Sequence, residues 1–153
     1  MANPNDASGI SGTTYFSDSA EKTRKIAAEI AGTLDQNAVV ALRGDLGSGK
    51  TEFARGLVLG LGSNDPVTSP TFAIAHEYGG AAFPVYHFDF YRMEDSTEFE
   101  TCGFEECVGS GLVIAEWADH FAERLPPQTL WVSIRVARDV QDAEIREITL
   151  KFP

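Results

Sequence analysis

The chain has 153 residues, 43% of them hydrophobic and 10% aromatic, with 12 Lys and Arg against 23 Asp and Glu, a formal net charge of −11. That length fits one compact domain, and the apolar content excludes a disordered acidic chain. The charge argues against a stand-alone nucleic-acid reader, against direct DNA binding and against docking on anionic membranes, all of which need a basic footprint.

No stretch reaches the roughly eighteen apolar residues of a membrane span, and the start has neither the basic flank nor the apolar run of a signal peptide. A cytoplasmic protein is expected. Cys102 and Cys107 are the only cysteines. They are too few for a disulfide framework, and with His76, His87 and His120 they match no zinc spacing, so ordinary side chains are expected.

Residues 1–12 are mostly small and polar and read as a flexible leader, followed by a single domain over 13–153. Ser19 can cap a helix reaching about Leu34, with Ile26, Ile30 and Leu34 on one face. Ala38 to Leu42 is an apolar run, read as a buried strand. Phe53, Leu57 and Leu61 mark a second helix that ends at Gly62. Phe72 to Tyr78 and Val85 to Phe90 alternate across Gly79-Gly80 and predict two strands joined by a hairpin or short loop.

Asp95-Ser-Thr-Glu98 has capping-box spacing and opens a short helix. Leu112 to Ala115 is a second buried-strand run, followed by a helical stretch that Pro126-Pro127 must end. Leu130 to Val136 and Glu144 to Phe152 alternate and close the chain as strands. Helices between buried strands, with antiparallel pieces added, predict an α/β three-layer sandwich with a mixed parallel and antiparallel sheet.

The strongest local signal is Gly44-Asp45-Leu46-Gly47-Ser48-Gly49-Lys50-Thr51, a full match to the Walker A pattern lying between a predicted strand and a predicted helix. Glycines let the backbone approach phosphate oxygens, Lys50 brings positive charge to the β- and γ-phosphates, and the Thr51 hydroxyl is suited to Mg²⁺. A second Mg²⁺ ligand should stand at the exit of a buried strand. Glu116, directly after Leu112 to Ala115, and Asp89, within His87-Phe-Asp-Phe-Tyr-Arg92, are the candidates. Val67-Thr-Ser-Pro-Thr71-Phe72 reads equally as a switch loop ordered by γ-phosphate or as a plain connection.

In order and spacing, the P-loop, the Val67 to Phe72 segment, His87-x-Asp89-x-Tyr91-Arg92 and Ile114-Ala-Glu116-Trp117 closely resemble the TsaE (YjeE) family, over roughly Phe16 to Leu150. The resemblance implies a small Mg²⁺-dependent ATPase of tRNA threonylcarbamoyladenosine synthesis. Such a subunit hydrolyses ATP to reset a complex with TsaB- and TsaD-like partners, which hold the tRNA and place the threonylcarbamoyl group on the adenosine beside the anticodon of ANN-decoding tRNAs.

By the same resemblance Lys50 is the phosphate lysine, Thr51 and Glu116 are the metal ligands, and Asp89 orients or deprotonates the attacking water. Ser69 and Thr71 fall in the switch loop, and Ala20 and Thr23 lie beside the adenine. Trp117 reads either as a core aromatic or as a nucleotide neighbour. Ala118 stands where the family commonly has Pro, which leaves Asp119 a site candidate. Arg146 is the expected late arginine near ATP, with Arg138 the alternative. Arg92 can pair with a site carboxylate or reach phosphate.

Two other function classes fit a P-loop: a small-molecule kinase, and a nucleotide-sensing subunit without turnover. Met93 to Glu123 contains no Lys or Arg, so an arginine-bearing kinase lid is absent there. Lys50, Thr51, Asp89 and Glu116 together favour hydrolysis. The acidic excess is central: residues 63–123 carry 12 acidic and 1 basic side chain. This predicts an acidic face, with Glu98, Glu100, Glu105 and Glu106, that docks on a basic partner surface.

Overall fold

The computed structural model describes residues 12–67 and 75–152. The leader lies outside them except Gly12, whose N–H donates to Leu150 O at 2.7 Å. The segment holding Ser69 and Thr71 also lies outside.

Seven strands form one sheet in the order β1-β7-β6-β2-β5-β4-β3. At its centre β2 (Val39–Arg43) pairs in parallel with β5 (Leu112–Glu116) and β6 (Leu130–Arg138), and β5 in turn pairs in parallel with β4 (Val85–Asp89). The flanks are antiparallel: β3 (Ala75–Tyr78) on β4, and β7 (Glu144–Lys151) between β6 and β1 (Thr14–Ser17). This is the expected mixed sheet. Strand β1 has no counterpart among the predicted elements, because four residues are too short to establish an alternating pattern and their partner β7 lies at the far end of the chain.

Alternation sends the central strands' side chains to two cores. Val40, Leu42 and Ile114 pack with Phe53 and Leu57 of α2 (Lys50–Gly60) and with Ile26 and Ile30 of α1 (Ala20–Ala31). Val39, Ala41, Val113 and Ala115 pack on the opposite face under a phenylalanine cluster. Phe90, Phe99, Phe104 and Phe121 meet there edge-on or stacked, at centroid distances of 5.0 to 5.8 Å.

Helix ends follow local chemistry. Ser19 Oγ accepts from Lys22 N at 3.1 Å and starts α1. The helix stops at Ala31, earlier than the periodicity predicts, because Gly32 favours coil and the following amides bond three residues back. Asp95 Oδ1 accepts from Glu98 N at 2.9 Å to open α3 (Ser96–Thr101), and Glu98 Oε2 reaches back to Glu94 N at 2.7 Å. Gly103, at φ 92°, ends α3 and starts the single turn α4 (Phe104–Cys107).

The stretch before Pro126 is a 3₁₀ segment, Ala118–Arg124, instead of an α-helix. Trp117 is left-handed (φ 56°) and Phe121 leaves helical geometry (φ −127°), which turns its ring into the phenylalanine cluster. Arg124 at the end of this segment contacts Glu100 and Glu105 at 3.4 and 3.3 Å, so two of the four glutamates expected to face a partner are tied to an arginine of the same chain.

Helices α1 and α2 cross closely because Gly56 and Gly60 have no side chain. A Cβ on Gly56 would stand 2.3 Å from Arg24 O and 2.7 Å from the Ala27 Cβ, and one on Gly60 would stand 2.7 Å from Ala28 O. The Gly56→Ala substitution should therefore force the helices apart and lower stability by about 1–3 kcal/mol. Urea unfolding measures it, and an unchanged midpoint would show that the crossing tolerates the added methyl.

Candidate functional site

Parallel pairing brings the functional residues to one sheet edge. Leu42, one residue before Arg43-Gly44, is in register with Glu116, and Glu116 is in register with Asp89. The P-loop leaves β2 at this edge and returns as α2. Gly44 is required by close approach, since a Cβ there would lie 2.5 Å from Ile134 O of the neighbouring strand. Helix α2 has Gly49 at its N-cap in the left-handed region (φ 111°) and no side-chain cap. Its first amides are thus free to donate to an acidic ligand.

Lys50 Nζ donates to Gly44 O at 2.5 Å and Asp45 O at 3.1 Å and lies 4.5 Å from the centroid of the Trp117 ring. Burial lowers its pKa from the ordinary 10.5, against the opposing pull of Glu116, Asp89, Asp45 and Asp119. Trp117 is therefore a neighbour of Lys50. Its ring also packs on Tyr91 at 4.9 Å.

Glu116 is almost fully buried. Its Oε2 accepts from His87 Nε2 at 2.7 Å, and His87 Nδ1 meets the Tyr78 hydroxyl at 2.9 Å. Asp89 Oδ1 accepts from Tyr91 N at 2.9 Å.

Two clefts meet at the P-loop, with cavity volumes of about 350 and 380 Å³. The first joins Leu46, Gly47, Gly49, Lys50 and Thr51 to Glu116 and Trp117. The second joins Gly47 and Gly49 to Ala20, Thr23 and Arg146, with Ser17, Asp18, Ser19, Glu52 and Glu144 completing its wall. Arg146 donates from Nε to Ser48 O at 2.9 Å and from a terminal nitrogen to Gly47 O at 3.3 Å, while Glu144 holds its other terminal nitrogen at 2.7 Å. Arg138 instead bonds Asp142 O at 2.9 Å in the β6–β7 hairpin.

Asp119 lines neither of these two clefts but stands near Lys50. It lines a third cleft with Gly44, Asp45, Lys50, Arg43 and Arg135. Ser17, Ser19 and Glu144 are wall residues that no motif announced. The only sequence signal near them is the helix-capping role of Ser19. Thr23 is committed to Ser17, hydroxyl to hydroxyl, at 2.7 Å.

The residues present fit a magnesium–nucleotide ligand. Ser48 Oγ is buried without a hydrogen-bond partner, the α2 amides are uncapped, and a hydroxyl and a carboxylate share the first cleft. Among the described residues no three His, Cys, Asp or Glu side chains are grouped to hold a metal ion, so a cation here would need ligand oxygens as well. Nor, among those residues, is any helix long and apolar enough to cross a membrane.

The model of the family described as "Threonylcarbamoyl adenosine biosynthesis protein TsaE" matches residues 17–147. The chain is 43% identical over 130 residues to the tRNA threonylcarbamoyladenosine biosynthesis protein TsaE of Bacillus subtilis, covering 84% of this chain and 78% of that protein. It is 39% identical over 135 residues to the protein of the same name from Treponema pallidum, covering 88% and 96%. The crystal structure of Bacillus subtilis YdiB superposes with a TM-score of 0.73 at 33% identity, covering 92% of this chain and 85% of that one. The chain belongs to the TsaE family, whose members are named for a part in tRNA threonylcarbamoyladenosine biosynthesis.

Burial lowers the Lys50 pKa in the free protein, and a polyphosphate beside it raises that pKa again. Between the two values binding must take up a proton. Calorimetric titration with ATP in buffers of different ionisation enthalpy should show proton uptake there that vanishes in Lys50→Met. Equal heats in all buffers would contradict the lowered pKa.

Proposed function

We propose that this TsaE-family chain is a cytoplasmic, Mg²⁺-dependent ATPase that serves formation of the threonylcarbamoyl group on the adenosine beside the anticodon of ANN-decoding tRNAs. The observation that carries the proposal is the meeting, at one sheet edge, of a Walker A loop, an uncapped helix N-terminus and the carboxylates Glu116 and Asp89.

The α2 amides and Lys50 bind the phosphates, which requires Lys50 to exchange its bonds to Gly44 O and Asp45 O for phosphate oxygens. Thr51 and Glu116 would hold Mg²⁺, which would supply charge stabilisation at the phosphates. Asp89, paired in register beside Glu116, orients the attacking water. Arg146 holds the loop from the other side through Gly47 O and Ser48 O. The adenosine occupies the cleft of Ala20 and Thr23. Ser69 and Thr71 belong to a segment that responds to the γ-phosphate.

Partners of TsaB and TsaD type carry the tRNA and the group transfer, and hydrolysis here resets their complex for another turnover. Exposed apolar side chains beside the phosphate cleft support docking there: Leu46 is 81% exposed at the loop tip and Tyr91 is 54% exposed against Trp117.

Lys50→Ala and Glu116→Gln should leave the circular-dichroism spectrum unchanged and cut multi-turnover tRNA modification at least about hundredfold, in a reconstituted system with TsaB- and TsaD-type partners, tRNA and ATP. Normal multi-turnover modification by either variant would overturn the mechanism. The acidic face has its own test. Reversing Glu98 and Glu106, which do not contact Arg124, should slow partner association at low salt, and unchanged on-rates in stopped flow would remove that surface from the interface.

A further inference from the structure

We infer that Tyr78 and His87 are positioning residues that hold the Glu116 carboxylate through a buried chain of hydrogen bonds. This deepens the reading above and rests on Glu116 being a metal ligand.

His87 shares a face of β4 with Val85 and Asp89, so its imidazole enters the core beside α2, between the β3 and β5 strands. It is fully buried, while Glu116 and Tyr78 are each 3% exposed. An imidazole at an apolar position costs free energy unless both ring nitrogens are bonded, and here both are. The direction of the chain follows from the acceptor at its end. An ionised carboxylate only accepts, so His87 carries its proton on Nε2 and donates to Glu116 Oε2. Nδ1 is then an acceptor and takes the Tyr78 O–H. The Tyr78 pKa is pushed up to about 12, chiefly by burial, so this hydroxyl stays a donor over the working pH range.

The chain has a consequence for the cleft. Lys50 and Glu116 line the same cleft with opposite charges. Lys50 is tethered to the loop carbonyls of Gly44 and Asp45, and Glu116 is tethered to His87. Without the His87 bond the carboxylate would be drawn toward the lysine, which neutralises the phosphate-binding charge and turns the carboxylate away from a cation. His87 thus keeps the two charges separate, and Tyr78 fixes the tautomer that lets it do so. Partners placed behind a metal-binding carboxylate or imidazole typically contribute ten- to hundredfold in metal affinity.

The test uses the full chain and measures Mg²⁺ affinity by calorimetry in the presence of a slowly hydrolysed ATP analogue, together with the ¹⁵N spectrum of His87. Tyr78→Phe should weaken Mg²⁺ binding several-fold and His87→Leu at least about tenfold, with analogue affinity without Mg²⁺ changed by less than about twofold. His87→Gln, whose amide N–H reaches the Nε2 position, should recover most of the loss. The wild-type ¹⁵N shifts should report the Nε2–H tautomer.

Unchanged Mg²⁺ affinity in Tyr78→Phe and His87→Leu, alongside a loss in Glu116→Gln, would overturn the positioning role while leaving Glu116 as ligand. Full Mg²⁺ affinity in Glu116→Gln would overturn the metal assignment itself, and the positioning role with it. A loss in His87→Gln as deep as in His87→Leu would reduce His87 to packing, and an Nδ1–H tautomer would reverse the chain. Should His87→Leu fail to fold, Tyr78→Phe and the tautomer decide.

Discussion

The site depends on the parallel pairing of β2 with β5 and of β5 with β4. Parallel strands end at the same edge, so residues distant in sequence leave the sheet side by side once the register is set. Here the register places Glu116 opposite both Leu42 and Asp89. A one-residue slip in either pair would send Glu116 to the phenylalanine face and Ala115 to the cleft of Lys50 and Thr51. The two cores prevent that slip, because Ile114 and Val113 face different packed layers. Burial of these small branched side chains, at roughly 1.5–3 kcal/mol each, therefore fixes the chemistry as well as the stability.

Most of this was legible because it rests on local pattern. Val39 to Leu42 and Leu112 to Ala115 are apolar without interruption, as strands covered on both faces must be, and Gly44 to Thr51 states its own loop. Four features carry no local signal, each for a physical reason. Trp117 adopts a left-handed conformation that its type rarely takes, and only the crowded junction of strand, cleft and Tyr91 ring enforces it. The stretch from Ala118 follows a helical pattern, yet Phe121 leaves helical geometry to reach Phe99. The contact of Arg146 with the P-loop joins residues 98 and 99 positions apart in sequence, so no local spacing can carry it. The same holds for His87, which reads in sequence as one alternating strand residue and becomes a partner of Glu116 only through the β4–β5 register.

The P-loop is held from both sides by groups that use its carbonyls. Lys50 takes those of Gly44 and Asp45, while Arg146 takes those of Gly47 and Ser48. Their effects on the amides are the same. A carbonyl fixed by a cation also fixes the N–H of the same trans peptide, which points the opposite way; that of the Gly47–Ser48 peptide donates to Asp45 O at 3.0 Å. In the free protein the loop is thus shaped by its own cations.

Trp117 sets the limits of that arrangement. A non-glycine residue at φ 56° carries roughly 1–3 kcal/mol of backbone strain, and the surrounding contacts must over-determine it. Those contacts are the Tyr91 ring on one side and the Lys50 ammonium over the indole on the other. Lys50, one of the two, is shared between the loop carbonyls and this ring and so ties the P-loop to the turn at Trp117. The half-exposed Tyr91 is the other, and it stands at the surface. The left-handed turn at the end of β5 is thus held from the P-loop by one lysine and from the surface by one tyrosine.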